Sequence, residues 1–259
     1  MTTDSTKSSN AVTLDIDELI ATLTINRPEA RNAMSIEILD GMHAAVDQVA
    51  KSDASVLVIT GAGRAFSAGM DLKAVLIELS GDPDLGEALL TSLARLTLKI
   101  RDLRQVTVAS VNGAAIGGGC GLTCVCDVTV SHADAKLGFP EVDLGICPAV
   151  IAPWVVKKLG AGVARKAMLM GGVMSGQEAF EIGLVDELAD DRDGLVELTQ
   201  KIAQRLATGG PKALAATKHL LNELDGSLEE KMVLKGAKLS ATVLATPEAQ
   251  AALSARLKR

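Results

Sequence analysis

Aromatic side chains are scarce in this sequence of 259 residues, which has no Tyr, one Trp and three Phe. Proteins that hold nucleic-acid bases or sugar rings by stacking need aromatic side chains for that purpose, so we expect neither kind of site. The hydrophobic core must instead be built from Ala, Val, Leu and Ile.

An excess of positive charge is also missing. The chain has 26 Lys and Arg against 32 Asp and Glu, a formal net charge of −6, and it contains no basic run. This balance argues against nucleic acid or an anionic membrane surface as the main partner. Apolar residues make up 48% and charged residues 22%, which is typical of a globular protein, and the length is ample for a buried core.

Targeting and membrane-spanning segments are not recognisable in the sequence. The first ten residues are polar and lack an apolar stretch, so we expect a flexible tail over 1–10 and a cytoplasmic protein. Residues 105–126 carry no formal charge and are long enough to cross a bilayer, but they include five Gly as well as Ser110 and Asn112. We therefore predict that this segment is buried in the interior of the folded protein and does not span a membrane. We expect no membrane as a partner.

Cysteine and histidine are too dispersed to indicate a metal site. Three of the four Cys lie within seven residues of one another in an apolar run, where thiols usually serve as small buried side chains. His43, His132 and His219 are far apart in the sequence. We expect neither a bound metal nor a disulfide framework.

Hydrophobic patterning divides the chain into alternating strands and helices, followed by helices alone. The predicted strands are 12–16, 19–26, 56–60, 106–111, 128–131 and 136–138, and the predicted helices are 36–50, one from about 70, 89–103 and one within 117–126. Residues 80–86 are predicted to form a loop, and the chain from 151 onward is predicted to be mainly helical. The pattern indicates an α/β core with a helical C-terminal part.

Two glycine-bearing turns, residues 61–69 and 113–119, each connect a predicted buried strand to a helix. Glycine lets a backbone approach a ligand closely, and the N–H groups at a helix start can bind a phosphate or an oxygen that becomes negative during a reaction. The spacing matches neither the dinucleotide motif nor the phosphate loop. Ser67 lacks the first glycine of the nucleophile motif G-x-S-x-G. Tight packing of strand and helix without chemistry is the alternative.

These turns and several other segments resemble, in the same order, the crotonase (enoyl-CoA hydratase/isomerase) family. The matching segments are 26–33, 61–73, 111–119, 126–127, 140–145 and 179–185, and the resemblance covers about residues 11–259. It implies an α/β fold, a spiral of repeated ββα units with an α-helical C-terminal region. The implied division is a flexible tail at 1–10, a crotonase-like core at 11–195 and a helical region at 196–259 that serves oligomerisation, as a homotrimer or a dimer of trimers.

The resemblance also implies an acyl-CoA thioester as the substrate. In the family, the thioester oxygen lies between two backbone N–H groups, which by motif position are those of Met70 and Gly118. The residues implied to line the substrate and coenzyme A site are Ala68, Met70, Asp71, Leu72, Lys73 and Gly118, with Lys73 as a phosphate partner. Coenzyme A arrives with the substrate, so no separate cofactor is expected.

One of the two glutamates that family hydratases use for simple chains is missing. Glu141, in Pro140-Glu141-Val142, stands at one acid position, whereas the other position holds Gly121, which has no side chain. Two nearby acids are candidates to assist. Asp143 would share a face with Glu141 if the segment were extended, and Glu78 lies downstream of Met70.

Hydration of a 2-enoyl-CoA thioester with Glu141 as the single acid/base is the leading hypothesis. Family branches that act on branched or glutaconyl-type thioesters also carry Gly-Gly-Gly-x-Gly-Leu and a stretch similar to residues 148–156, which favours hydration. A shift of a double bond from C3 to C2, with Glu141 carrying the proton, is the alternative. An acyl-CoA-binding protein without catalysis is an alternative of another class, suggested by Gly121.

Overall fold

The computed structural model describes residues 11–72, 74 and 83–257. Among them, the strands are β1 (Val12–Asp17), β2 (Ile20–Ile25), β3 (Val56–Gly61), β4 (Ala65–Ser67), β5 (Val106–Val111), β6 (Ala114–Ile116), β7 (Val128–His132), β8 (Lys136–Gly138), β9 (Val173–Ser175) and β10 (Glu187–Ala189). The helices are α1 (Ile36–Lys51), α2 (Pro83–Asp102), α3 (Gly118–Val125), α4 (Ala152–Met170), α5 (Gly176–Glu181), α6 (Arg192–Ala207), α7 (Pro211–Leu224), α8 (Glu230–Leu244) and α9 (Pro247–Leu257).

Two sheets organise the chain. The larger has the strand order β1-β2-β3-β5-β7-β10 and is parallel except for the hairpin of β1 and β2. The smaller has the order β4-β6-β8-β9, in which only β8 and β9 are antiparallel.

Three consecutive strand pairs, each followed by a helix, form a repeating unit. In β3-β4-α2, β5-β6-α3 and β7-β8-α4, the first strand joins the large sheet and the second joins the small one. The chain therefore advances by one strand in each sheet per turn, and the predicted spiral of ββα units is confirmed.

The central strands of the large sheet are buried on both faces, as their continuous apolar runs predict. On one face, Leu57, Ile59 and Val111 belong to the main core with α1 and α2. On the other face, Val58 and Val108 pack against α6, together with the other members of a smaller cluster. The uncharged segment 105–126 forms β5, β6 and α3 in this interior, so its predicted burial is confirmed. No helix in the described part of the chain is both long and apolar enough to span a membrane.

Local signals place several helix ends correctly. Ser35 caps α1 through its side chain, and Ser175 and Glu178 form the predicted capping box of α5. The predicted loop over 80–86 is wrong for its last four residues, because α2 begins at Pro83. Proline suits the first position of a helix, where no N–H is needed for an intrahelical bond. Residues 80–82 lie outside the described part.

The C-terminal helices pack against the rest of the molecule. α8 lies along α2, and its Val233 and Ala237 join the main core. The predicted boundary at residue 195 falls inside α6, which covers the large sheet. The division there, and the assignment of 196–259 to oligomerisation, stay predictions.

Candidate active site

The two glycine-bearing turns identified in the sequence lie against each other. Their strands, β4 and β6, are adjacent and parallel in the small sheet. Gly69 has φ +85°, and a Cβ atom added there would lie 2.6 Å from the carbonyl oxygen of Ile116 and 3.4 Å from the backbone nitrogen of Gly118. Only glycine combines this left-handed conformation with so close an approach. The turns therefore meet through their backbones.

Two backbone N–H groups at this junction have no acceptor within the described part of the chain. Gly69, Asp71 and Gly117 each donate their N–H to an oxygen of the protein, at 3.2, 3.0 and 2.8 Å respectively. Within residues 11–72, 74 and 83–257, the N–H groups of Met70 and Gly118 make no such bond. Gly118 opens α3, where a helix leaves its first N–H groups free. Both residues line one cavity.

Glu141 places a carboxyl group in the cavity that Met70 and Gly118 line. It precedes a single 3-10 turn (Val142–Leu144) and has helical dihedral angles, φ −57° and ψ −43°. Its Oε1 lies 2.8 Å from the position that a Cβ of Gly117 would occupy. Because Gly117 has φ +56° and no side chain, it leaves room for the carboxyl group beside its own backbone.

The surroundings of Glu141 favour its neutral form. Burial raises the pKa of this carboxyl group from 4.5 to about 7, although a hydrogen bond from its own backbone N–H opposes the rise. The Oε2 atom is buried and has no hydrogen-bond partner among the described residues. A carboxyl group with a pKa near neutrality and a free oxygen can both accept and return a proton.

The site consists of an inner and an outer cavity. The inner cavity encloses about 80 Å³ and is lined by Ala68, Gly69, Met70, Leu72, Leu90, Leu93, Ile116, Gly117, Gly118, Pro140, Glu141, Leu144, Ile146, Cys147, Pro148, Ser240 and Leu244. The outer cavity, about 930 Å³, shares six of these residues and adds Arg31, Ala33, Asp71, Asp143, Gly172, Val173, Ala252, Ala255 and Arg256. The six shared residues place the two cavities side by side, and we call the pair the cleft.

The structure brings most of the sequence-predicted site residues to this cleft. Ala68, Met70 and Leu72 line both cavities, and Gly118 and Glu141 line the inner one. The predicted phosphate partner Lys73 and the candidate acid Glu78 lie outside the described residues.

Asp71 has a structural task beside its place in the outer cavity. Its carboxylate forms an ion pair with Arg27 at 2.8 Å and accepts a hydrogen bond from the N–H of Ala74 at 3.1 Å. These two bonds hold the side chain of Asp71, the residue directly after Met70, in place.

Asp143 is expected to share a face with Glu141 only if the segment is extended, and that condition is not met. The segment is a 3-10 turn rather than extended, so a separation of two residues rotates the side chains apart. The Asp143 carboxylate accepts a hydrogen bond from Gly172 at 2.8 Å and lines only the outer cavity. Among the described residues, Glu141 is therefore the single carboxyl group of the inner cavity.

Ile151 fills the space beside the missing second acid. A Cβ atom added to Gly121 would lie 2.2 Å from Cγ2 and 2.5 Å from Cβ of Ile151, far inside van der Waals contact. Ile151 is 2% exposed and belongs to the main core. Position 121 is thus closed by packing, and no side chain fits there unless α4 or Ile151 moves.

We expect Gly121→Ala to lower the free energy of unfolding by about 2–3 kcal/mol, because the added methyl group overpacks the contact with Ile151. Urea unfolding monitored by circular dichroism would measure the loss. Gly162→Ala is the matched control, since Gly162 lies in α4 with nothing within 4 Å of an added Cβ. The control is expected to be neutral or slightly stabilising. Equal stability of the two variants would contradict the packing described here.

Sequence reasoning did not identify the far wall of the inner cavity. Leu90 and Leu93 come from α2, and Ser240 and Leu244 come from α8, more than a hundred residues later in the chain. Their spacing predicts only that each helix has a buried face. The packing of α8 along α2, which the sequence does not reveal, places these side chains together at the site.

The chain is similar to known proteins of one family. A family model described as enoyl-CoA hydratase/isomerase matches residues 15–255. The chain is 36% identical over 220 residues to the crotonyl-CoA hydratase of Syntrophomonas wolfei. That alignment covers 82% of this chain and 81% of that protein. It is 31% identical over 239 residues to the 2,3-dehydroadipyl-CoA hydratase of Escherichia coli, covering 92% and 91%. The crystal structure of an enoyl-CoA hydratase/isomerase from Mycobacterium paratuberculosis superimposes with a TM-score of 0.86 at 27% identity, over 95% of this chain and 98% of that one.

Proposed function

This chain belongs to the enoyl-CoA hydratase/isomerase family, and we propose that it adds water across the double bond of a 2-enoyl-CoA thioester. The observation that carries the proposal is that Glu141 lines the same small cavity as Met70 and Gly118, whose N–H groups have no acceptor among the described residues. A polarised carbonyl and a proton-transfer group are the two elements that this chemistry needs.

The two N–H groups of Met70 and Gly118 would hold the thioester oxygen. Both are parts of the backbone, so they require little reorganisation when negative charge develops on that oxygen. The Met70 side chain contributes only to the cavity wall. Electrons drawn from the double bond towards the thioester oxygen leave C3 open to attack by a nucleophile.

Glu141 would carry out both proton transfers. Its carboxylate takes one proton from a water molecule while the water oxygen bonds to C3, and the protonated group then gives that proton to C2. The net change is one water added across C2 and C3, with Glu141 returned to its ionised form. One carboxyl group can perform both steps because its pKa of about 7 lies near neutrality.

The outer cavity would take the coenzyme A part of the substrate. Arg31 and Arg256 supply cations to its lining, which suits phosphate groups. Ala68, Asp71 and Leu72 form the neighbouring wall, and Lys73 follows directly in the sequence as a further proposed phosphate partner.

Purified protein incubated with crotonyl-CoA tests the proposal. Hydration removes the conjugated double bond, so the absorbance of the enoyl thioester falls. Binding of crotonyl-CoA without any loss of absorbance would reject a hydratase and favour an acyl-CoA-binding protein that does not catalyse.

Isomerisation of a 3-enoyl-CoA is the second candidate, and the contact of Ile151 with Gly121 favours it. This packing leaves one carboxyl group in the inner cavity, and a double-bond shift needs only one group that takes a proton from C2 and returns it to C4. Incubation with 3-hexenoyl-CoA distinguishes the two reactions, because isomerisation creates the conjugated double bond and the absorbance rises.

Activity is expected to rise with pH through a midpoint near 7. Glu141 acts first as a base, so only its ionised form starts the reaction, and below its pKa of about 7 the value of kcat/KM falls about tenfold per pH unit. Initial rates at low substrate concentration between about pH 5 and pH 9 measure the profile. A profile that stays flat through pH 7 would remove Glu141 from the base role.

A further inference from the structure

We propose that the acyl group of the substrate is aliphatic and uncharged, and that enoyl-CoA thioesters with a second carboxylate at the far end of the acyl chain are poor substrates. The inference rests on the proposed function, which places the acyl group in the inner cavity. It is specific to this chain, because its relatives include a 2,3-dehydroadipyl-CoA hydratase, whose substrate carries such a carboxylate.

The walls of the inner cavity beyond Glu141 are aliphatic. Leu90 and Leu93 of α2 face Leu244 of α8, and each is at most 4% exposed. Ile146 and Leu144 continue the same surface. Methylene groups placed against these side chains leave water, which favours the binding of an aliphatic chain.

The polar side chains of this wall, Ser240 and Cys147, are hydrogen-bonded within the protein or uncharged. The Ser240 hydroxyl donates to the carbonyl oxygen of Cys147 at 2.7 Å and accepts from the N–H of Ala149 at 3.0 Å. Burial raises the pKa of the Cys147 thiol, which therefore stays protonated and uncharged at neutral pH. Neither side chain can supply a strong hydrogen bond to an incoming carboxylate.

The charges are distributed unfavourably for a second carboxylate. Among the described residues that line the inner cavity there is no Lys, Arg or His, and the single ionisable acid, Glu141, would repel an anion when ionised. The cations Arg31 and Arg256 line the outer cavity instead. A carboxylate at the acyl end would therefore be buried without a cationic partner among the described residues of this cavity, which disfavours its binding.

A matched pair of thioesters tests the inference. 2-Hexenoyl-CoA and 2,3-dehydroadipyl-CoA both have six acyl carbons and differ only in a terminal methyl group against a carboxylate. We expect kcat/KM to favour 2-hexenoyl-CoA by roughly 10–100-fold at neutral pH. Equal values, or a preference for the dicarboxylic thioester, would overturn the inference while leaving the proposed function intact.

Binding of the saturated analogues separates this inference from the proposed function. Hexanoyl-CoA and adipyl-CoA undergo no reaction, so calorimetry compares their dissociation constants even if neither enoyl thioester is turned over. Tighter binding of hexanoyl-CoA, by roughly tenfold or more, is expected. If turnover fails but this preference holds, only the proposed reaction is wrong. Equal binding, or tighter binding of adipyl-CoA, would overturn the inference about the acyl group.

A charged substitution in the cavity wall provides the converse test. Leu244→Lys places a cation near the acyl end, and we expect it to reduce the preference for hexanoyl-CoA over adipyl-CoA by about tenfold. Leu244→Met is the matched control, because it keeps a long, flexible and neutral side chain at the same position. A reduction of equal size in both variants would show that Leu244 acts through packing alone, and would count against the charge argument.

Discussion

The Glu141→Gln variant is expected to lose about 10²–10⁴-fold in kcat/KM, because a neutral amide can neither take a proton from water nor return one to carbon. The side chain keeps its size, so the cavity and the binding of the thioester should change little. Initial rates with crotonyl-CoA, together with the dissociation constant of a saturated acyl-CoA, measure the two effects separately. A large loss of rate with little loss of binding is the expected pattern.

The same variant has an expected signature in stability. The pKa of Glu141 is raised from 4.5 to about 7 by burial, so the folded protein binds this proton more tightly than the unfolded chain does. The stability that protonated Glu141 supports is fully present below about pH 4.5 and is lost as the pH rises towards 7. Glutamine does not titrate. As the pH rises from 4.5 to about 7, the free energy of unfolding of the variant should therefore increase by about 3 kcal/mol relative to that of the wild type.

Asp143→Asn is the control for both measurements. Asp143 is two residues away in sequence, but its carboxylate binds the N–H of Gly172 and does not enter the inner cavity. Its replacement should affect kcat/KM far less than Glu141→Gln does, and the pH profile should keep its midpoint near 7. If the two variants lose activity equally, or if Glu141→Gln remains fully active, Glu141 is not the proton-transfer group.

Gly118→Pro is expected to reduce kcat by about 10²–10³-fold, equivalent to about 2.7–4 kcal/mol, because proline has no N–H to donate to the thioester oxygen. The substitution suits the local structure, since Gly118 is the first residue of α3 and proline is favoured there. The helix can therefore persist while one of the two proposed donors disappears. Single-turnover rates with a saturating enoyl-CoA measure the effect.

Gly118→Ala is the matched control for this experiment. A Cβ atom at position 118 would approach the terminal methyl group of Met34 to 2.9 Å and Leu93 to 3.4 Å in either variant, and both contacts are with flexible side-chain ends. The alanine variant keeps the N–H group and adds the same Cβ, so the ratio of the two rates measures the replacement of the N–H by the proline Cδ, which removes the donor and occupies its place. Equal rates in the alanine and proline variants would show that the N–H of Gly118 takes no part.

The sequence predicts the elements of this fold well where a local pattern determines them. The apolar runs at β3 and β5 indicate strands buried on both faces, and both strands lie in the centre of the large sheet. The helix starts at Ser35 and Ser175 follow from capping chemistry that needs only neighbouring residues. The start of α2 at Pro83 is missed, because proline and glycine are equally typical of loops and of the first turn of a helix.

The site is harder to predict from the sequence than the fold, because its walls depend on tertiary contacts. Glu141 and the two glycine turns are identified by motif, yet nothing local predicts that Glu141 turns away from Asp143 in a 3-10 turn. The contact between Gly121 and Ile151 joins residues thirty positions apart, and only the packing of α3 against the start of α4 produces it. The side chains of α8 at the inner cavity are a further case of the same kind.

The division of the inner cavity between two parts of the chain has a consequence for how its selectivity can change. The amides proposed to bind the carbonyl are main-chain groups, and the proposed proton carrier, Glu141, precedes a short turn, whereas Leu90, Leu93 and Leu244 are replaceable side chains on α2 and α8. Exchanging those three side chains can alter which thioester tail is accepted while the reacting atoms keep their surroundings. The acyl specificity can therefore change without changes in the residues proposed to carry out the reaction. Mutant libraries for new acyl groups should vary positions on α2 and α8 and keep the two glycine turns unchanged.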